Sequence, residues 1–262
     1  MEYIGYFAAI IIGLSLGLVG GGGSILTIPI LVYLFKIDPE LATSYSLFIV
    51  GITAGLGCIS HYRMGNLKIK SALYFAVPSI FAILIIREVI FPQIAETLFS
   101  IASYKVSKNF LIMIVFSILM ILASISMIRT KTIQIQGATT NYTQLAIIGF
   151  FIGIITGFLG AGGGFLIIPA LLFFAKLPMK QAVGTSLLII FINSSIGFAG
   201  DLYINTPIDY PFLLIISSIA FIGMLVGTQI SKRIDGSQLK PIFGWFILIM
   251  GLYIITKEIF LK

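Results

Sequence analysis

The sequence predicts an all-α polytopic membrane protein: two tandem, inverted repeats of about five apolar segments each, with eight to ten segments crossing the bilayer. Three observations predict it. Of the 262 residues, 59% are hydrophobic and 10% charged, at a mean hydropathy of +1.14, whereas a soluble domain carries about 25% charge. Ten apolar segments can be drawn, five in each half. The stretch Gly20-Gly21-Gly22-Gly23-Ser24 also returns 140 positions later (160 − 20) as Gly160-Ala161-Gly162-Gly163-Gly164.

The first half contributes segments at 3–19, 24–35, 41–60, 71–86 and 110–128. The second contributes 145–159, 164–175, 182–200, 210–230 and 242–256. The chain therefore divides into a first repeat over 1–128, a linker over 129–144 and a second repeat over 145–262. Glu2 stands where a cleaved leader would carry a basic residue, so 3–19 is read as a retained first segment. A full crossing needs about 20 residues, and 24–35 covers only ~18 Å. That segment and 164–175 read as half-helices that each follow a glycine cluster and carry a proline near their start, Pro29 and Pro169.

The duplication holds register without a gap. It pairs Gly13 with Gly153, Gly17 with Gly157, Leu26 with Leu166, Lys36 with Lys176, Ala42 with Ala182, Ser46 with Ser186 and Gly57 with Gly197. Gly13-x-x-x-Gly17 and Gly153-x-x-x-Gly157 give each copy a small-residue face for close helix packing. Interrupted hydrophobic segments at matching places in two halves point to a transporter's binding site. The stretch 95–108 carries Glu96, Lys105 and Lys108 among apolar residues and fits an interfacial helix or an ordered loop.

If all ten segments cross, Arg63, Lys68, Lys70, Arg129, Lys131, Lys176, Lys180, Lys232, Arg233 and Lys240 fall on one side. Lys36, Arg87, Lys105, Lys108, Lys257 and Lys262 fall on the other. The excess places the first set in the cytoplasm and both termini outside a cell membrane. The net charge of +7 comes from scattered residues and reads as loop charge, not as a nucleic-acid surface. One histidine and one cysteine, Cys58, cannot build a haem, zinc or disulfide centre, so no cofactor, metal or catalytic residue is expected. The glycine cluster lacks the following lysine of a P-loop.

These residues resemble the TauE/SafE sulfite-exporter family of membrane permeases. The resemblance is carried by Gly20 through Pro29 and its twin Gly160 through Pro169, and by Ala182-Val183-Gly184-Thr185-Ser186-Leu187 after the second cluster. Gly65-Asn66-Leu67, Ile192-Asn193-Ser194 with Gly197 and Asp201, and Gly244-Trp245-Phe246 add to it. The first copy departs from the pattern, with Tyr45 where the second has Thr185, so the half-sites are expected to differ chemically. The resemblance implies a secondary transporter of small anions, of the sulfur oxyanion, organosulfonate or small carboxylate class. An anion channel built on the same half-helices is the alternative. Expected partners are the anion and the lipid bilayer, and the sequence is compatible with a homo-oligomer.

Full charges are expensive inside a bilayer, but helix N-termini offer free N–H groups and a partial positive charge. Gly22, Gly23, Ser24, Gly162, Gly163 and Gly164 are therefore read as backbone donors to the anion. Thr185 and Ser186, with Thr43, Ser44 and Ser46 in the first copy, would add hydroxyls, and Asn193 an amide. These hydroxyls could equally bond their own helix backbone. His61 and Asp201 occupy equivalent positions and are candidates for proton coupling or ordinary interfacial residues. Lys36 and Lys176 would draw anions in or snorkel. Arg87-Glu88 would pair internally or mark the interface. Gly163→Val is expected to insert and lose transport, and Gly149→Val, outside the cluster, to retain it.

Overall fold

The computed structural model describes residues 2–95, 97–101, 104–129, 141–159, 163–203, 208–231 and 236–260. The first half forms α1 (Glu2–Val19), a 3-10 turn (Gly20–Leu26), α2 (Thr27–Tyr33), α3 (Pro39–Arg63), α4 (Ile69–Leu84) and α5 (Lys108–Arg129). The second forms α6 (Tyr142–Leu159), α7 (Gly164–Phe173), α8 (Met179–Tyr203), α9 (Tyr210–Ser231) and α10 (Gly236–Phe260). Six helices among the described residues are long and apolar enough to cross a membrane: α3, α4 with its extension to Ile90, α5, α6, α8 and α9. The fold is helical, as the composition requires. Among the described residues a short hairpin interrupts it, with β1 (Thr97–Ile101) antiparallel to β2 (Tyr104–Ser107), where an interfacial helix or loop was expected. Most of the linker 129–144 lies outside the described residues.

Local chemistry sets the ends of these elements. Asp38 caps α3, its carboxylate accepting the Glu40 N–H at 3.0 Å ahead of a helix that starts on proline. The half-helices end on twin lysines in the left-handed region, Lys36 at φ 57° and Lys176 at φ 52°. Past each lysine the chain folds back on its helix, Ile37 N–H donating to the Leu31 carbonyl at 3.1 Å and Leu177 N–H to Leu171 at 3.2 Å. Each bond spans seven residues, one more than the six of a Schellman closure, and turns on the left-handed lysine. The paired lysines thus share a backbone role that neither anion attraction nor snorkelling anticipates.

Helices of one half pack on helices of the other: α1 on α9, α4 on α6, α3 on α8 and α5 on α10. Glycines permit the closest approaches. A Cβ on Gly13 would stand 1.7 Å from the Ala220 carbonyl oxygen, and one on Gly17 2.3 Å from that of Met224, so α1 and α9 run parallel with backbones touching. Gly149 and Gly153 of α6 meet the carbonyls of Phe75 and Ser79 of α4 in the same way, at 2.4 and 2.5 Å. Gly149 is therefore no neutral position; valine there would collide with α4. Across α3 and α8, Gly51 faces Ser194, Gly55 faces Phe191 and Gly57 faces Leu187, an antiparallel register centred on both helices. With Lys68 beside Thr185 and Arg87 beside Asp201, α4 runs with α8. Tyr45 beside Asp209 makes α9 run with α3. Thus α4, α6 and α8 run one way, and α1, α3 and α9 the other.

Both ends of the described chain come to the α2–α3 connection. The Tyr6 ring packs edge-on against Phe35 with centroids 6.0 Å apart, and Tyr33 donates to a Glu258 carboxylate oxygen at 3.1 Å. The first and last helices therefore bring their outer ends to one face.

Candidate functional site

The two glycine clusters meet. A Cβ on Gly21 would lie 2.5 Å from the Gly164 Cα and 2.6 Å from Ile190 Cδ1, and one on Gly164 would lie 2.3 Å from the Gly21 carbonyl oxygen. Ile190 sits at the middle of the 25-residue α8, which puts the meeting at the centre of the spanning bundle. Each approach turns on a glycine in the left-handed region, Gly20 at φ 69° and Gly163 at φ 64°. Such backbone is open to glycine at little cost.

The geometry around this contact differs between the copies. In the second, Gly163 caps α7, which starts at Gly164 as expected. In the first, Gly20 through Leu26 wind as a 3-10 turn and α2 begins only at Thr27, not at Ser24. Four successive glycines lack the side chains that crowd a 3-10 coil, and the Ser24 hydroxyl donates to the Gly21 carbonyl at 2.7 Å to hold it. Gly22 lies within the turn, and Gly23 packs back on α1, 2.3 Å from Leu16 N to an added Cβ. The facing pair is thus Gly21 with Gly164. Gly162 lies outside the described residues.

The candidate hydroxyls divide into engaged and unengaged. Ser186 donates to the Val183 carbonyl at 2.8 Å on its own helix, with its oxygen 3.3 Å from where a Cβ on Gly20 would stand. Thr185 accepts the Lys68 N–H at 3.1 Å, fastening the start of α8 to the start of α4. Its counterpart Tyr45 accepts the Asp209 N–H at 2.8 Å and fastens α3 to the start of α9. The Tyr/Thr difference therefore preserves one helix-fastening role in both copies. Thr43 donates to the Glu40 carbonyl at 2.7 Å, and Ser44 is buried on the same helix. Asn193, fully buried, donates to the Ser79 hydroxyl of α4 at 2.8 Å and leaves its carbonyl oxygen without a partner. Ser46, Ser194 and Thr27 are buried with hydroxyls that meet no partner among the described residues. An unpartnered hydroxyl in an apolar interior costs roughly 1–3 kcal/mol. Three such hydroxyls lie on α2, α3 and α8, elements that adjoin the turn carrying Gly21.

His61 and Asp201 are both buried within the protein, 4% and 6% exposed. They stand at opposite ends of the α3–α8 pair. An added Cβ on Gly184 would lie 3.0 Å from the His61 Cβ. Asp201 forms an ion pair with Arg87, which sits in a π-helical turn (Ile85–Ile90) at the end of α4. Arg87 also donates from Nε to the Gly157 carbonyl at 3.2 Å and from Nη2 to the Thr43 hydroxyl at 3.1 Å. Reading Arg87-Glu88 as a local pair is thus corrected: the partner is across the bundle, where burial demands a counter-charge.

The sulfite exporter TauE/SafE family model matches residues 6–254. The chain belongs to that family. A probable membrane transporter protein of Xylella fastidiosa strain Temecula1 is 28% identical over 95% of this chain and 92% of its own length. The probable membrane transporter protein YunE of Bacillus subtilis is 26% identical over 96% and 97%. A probable membrane transporter protein of Methanocaldococcus jannaschii is 25% identical over 94% of each chain. This TauE/SafE member is a multi-pass membrane protein of a transporter family, not of an enzyme family. Sequence reasoning singled out neither Ser79 nor Thr27 as part of its polar interior, named Ser194 only within the resemblance, and did not pair Arg87 with Asp201. The signal for Arg87 was present, an arginine and an aspartate each ending an apolar run in opposite halves.

Proposed function

We propose that this TauE/SafE protein is a secondary carrier of small anions, of the sulfur oxyanion, organosulfonate or small carboxylate class. Its site lies where the glycine clusters meet, with the start of α7 and the hydroxyls of Ser46, Ser194 and Thr27 as donors. The observation that carries the proposal is the contact of Gly21 with Gly164 at mid-bundle, with unpartnered buried hydroxyls on helices that adjoin the turn. Touching backbones leave no passage at that point, which favours a carrier that opens by movement over a standing pore. The opposed directions of α1 and α6, α3 and α8, and α4 and α9 support two inverted repeats that rock about the contact. The shared face of the chain ends is assigned to the outside by the distribution of lysine and arginine.

The purified protein, challenged with sulfite, thiosulfate, sulfoacetate and small carboxylates, should be stabilised against heat by at least one of them. In proteoliposomes that anion should show saturable, gradient-driven flux. Single-channel currents would replace the carrier with a channel. No stabilisation and no flux with any of them would overturn the anion reading.

A further inference from the structure

Among the described residues the buried basic side chains are His61, Arg87 and Lys108. Lys108 is tied to Glu40 at 2.8 Å near the outer ends of α5 and α3. Arg87 is placed differently. It reaches three other helices at once: Gly157 of α6, Thr43 of α3 and Asp201 of α8. Gly157 lies three residues before the Gly160–Gly164 cluster, so the guanidinium stands at the approach to the proposed site. Its counterpart 140 positions on is Gly227, whose added Cβ would lie 2.2 Å from the Leu14 carbonyl oxygen, so the cation has no twin on the opposite side. A planar fork of N–H donors matches the oxygens of a carboxylate and of a sulfur oxyanion alike. The π-helical turn that carries Arg87 is a form of helix that concentrates at functional sites.

We propose that Arg87 is a second anion contact on the transport path, and that the Asp201 carboxylate holds the place of the substrate oxyanion there. Substrate and Asp201 compete for one guanidinium, on the side of the molecule that holds both chain ends. This rests on reading the chain as an anion carrier. It also accounts for a buried ion pair without a mirror image in an otherwise duplicated chain. An arriving anion displaces the carboxylate, and the loosened α4–α8 link lets the halves separate on that side.

Competition and a merely structural pair predict different signs. Affinities of wild type, Asp201→Asn, Arg87→Gln and the double variant for thiosulfate and sulfoacetate, measured by calorimetry on detergent-solubilised protein, separate them. Removing the competitor should tighten binding in Asp201→Asn by roughly ten-fold or more, and removing the cation should weaken it by as much in Arg87→Gln. The double variant should bind as weakly as Arg87→Gln. If Asp201→Asn is too unstable to titrate, thermal shift serves: either anion should raise its melting temperature more than that of wild type. Weakened binding in both single variants with recovery in the double would overturn the proposal and leave a structural ion pair. Wild type that binds neither of these anions, nor sulfite nor a small carboxylate, would remove the carrier reading, and this inference with it.

Discussion

At the scale of single residues, the buried hydroxyls give the sharpest separation of packing from function. Ser46 is fully buried with an unpartnered oxygen on the face of α3 equivalent to that of Ser186 on α8. Ser46→Ala deletes an unsatisfied polar atom from an apolar setting. Folding stability should stay level or rise by up to about 1 kcal/mol, while anion affinity falls roughly ten-fold. Parallel losses in a melting curve and a binding titration would make Ser46 structural. Gly163 is a poorer probe than the sequence suggests. Its φ of 64° and the Thr156 Oγ1, 2.1 Å from an added Cβ, make any side chain there strained and clashing. Gly163→Val is expected to reduce the yield of folded protein as well as transport. Gly149→Val is expected to do the same through its contact with Phe75, as size-exclusion profiles of the two variants would show.

At the scale of elements, the half-helices and their glycine turns were legible because a 140-residue register repeats them. Composition alone made the membrane helices plain. What the sequence did not show was which partner each side chain meets across the repeats. Thr185 and Tyr45 look unlike, yet both hydroxyls accept the N–H at the start of a helix in the other half. Thr185→Val and Tyr45→Phe should each leave one such N–H unbonded and cost about 1 kcal/mol of stability. Comparable drops in melting temperature would support equivalent roles, and a fall for one variant alone would break the equivalence. The twin lysines were visible as a pair, but their φ values were not. Glycine at either should relieve left-handed strain, so Lys36→Gly and Lys176→Gly should hold stability or gain up to about 1 kcal/mol. Transport should persist. A fully folded Lys36→Gly or Lys176→Gly protein that no longer moves anions would return the charges to the transport path.

At the scale of the whole molecule, the interleaved helices bind each half to the other. Because α1 lies on α9 and α4 on α6, neither half has a closed surface of its own. The ten apolar segments were readable from hydropathy, but this exchange of partners was not, since periodicity does not say which glycine face meets which helix. The central claim is that substrate meets the protein at mid-bundle, beside the glycine contact, and reaches that point from each side in turn. Cys58 is the one cysteine of the chain, so Cys58→Ser removes all background thiol. A single cysteine at position 46, made as Ser46→Cys in that protein, then reports access by reaction with an impermeant thiol reagent. Applied to proteoliposomes of known orientation, the reagent should label that cysteine slowly from either face, and the transported anion should protect it. Labelling from one face alone, or a rate that saturating anion leaves unchanged, would contradict the account.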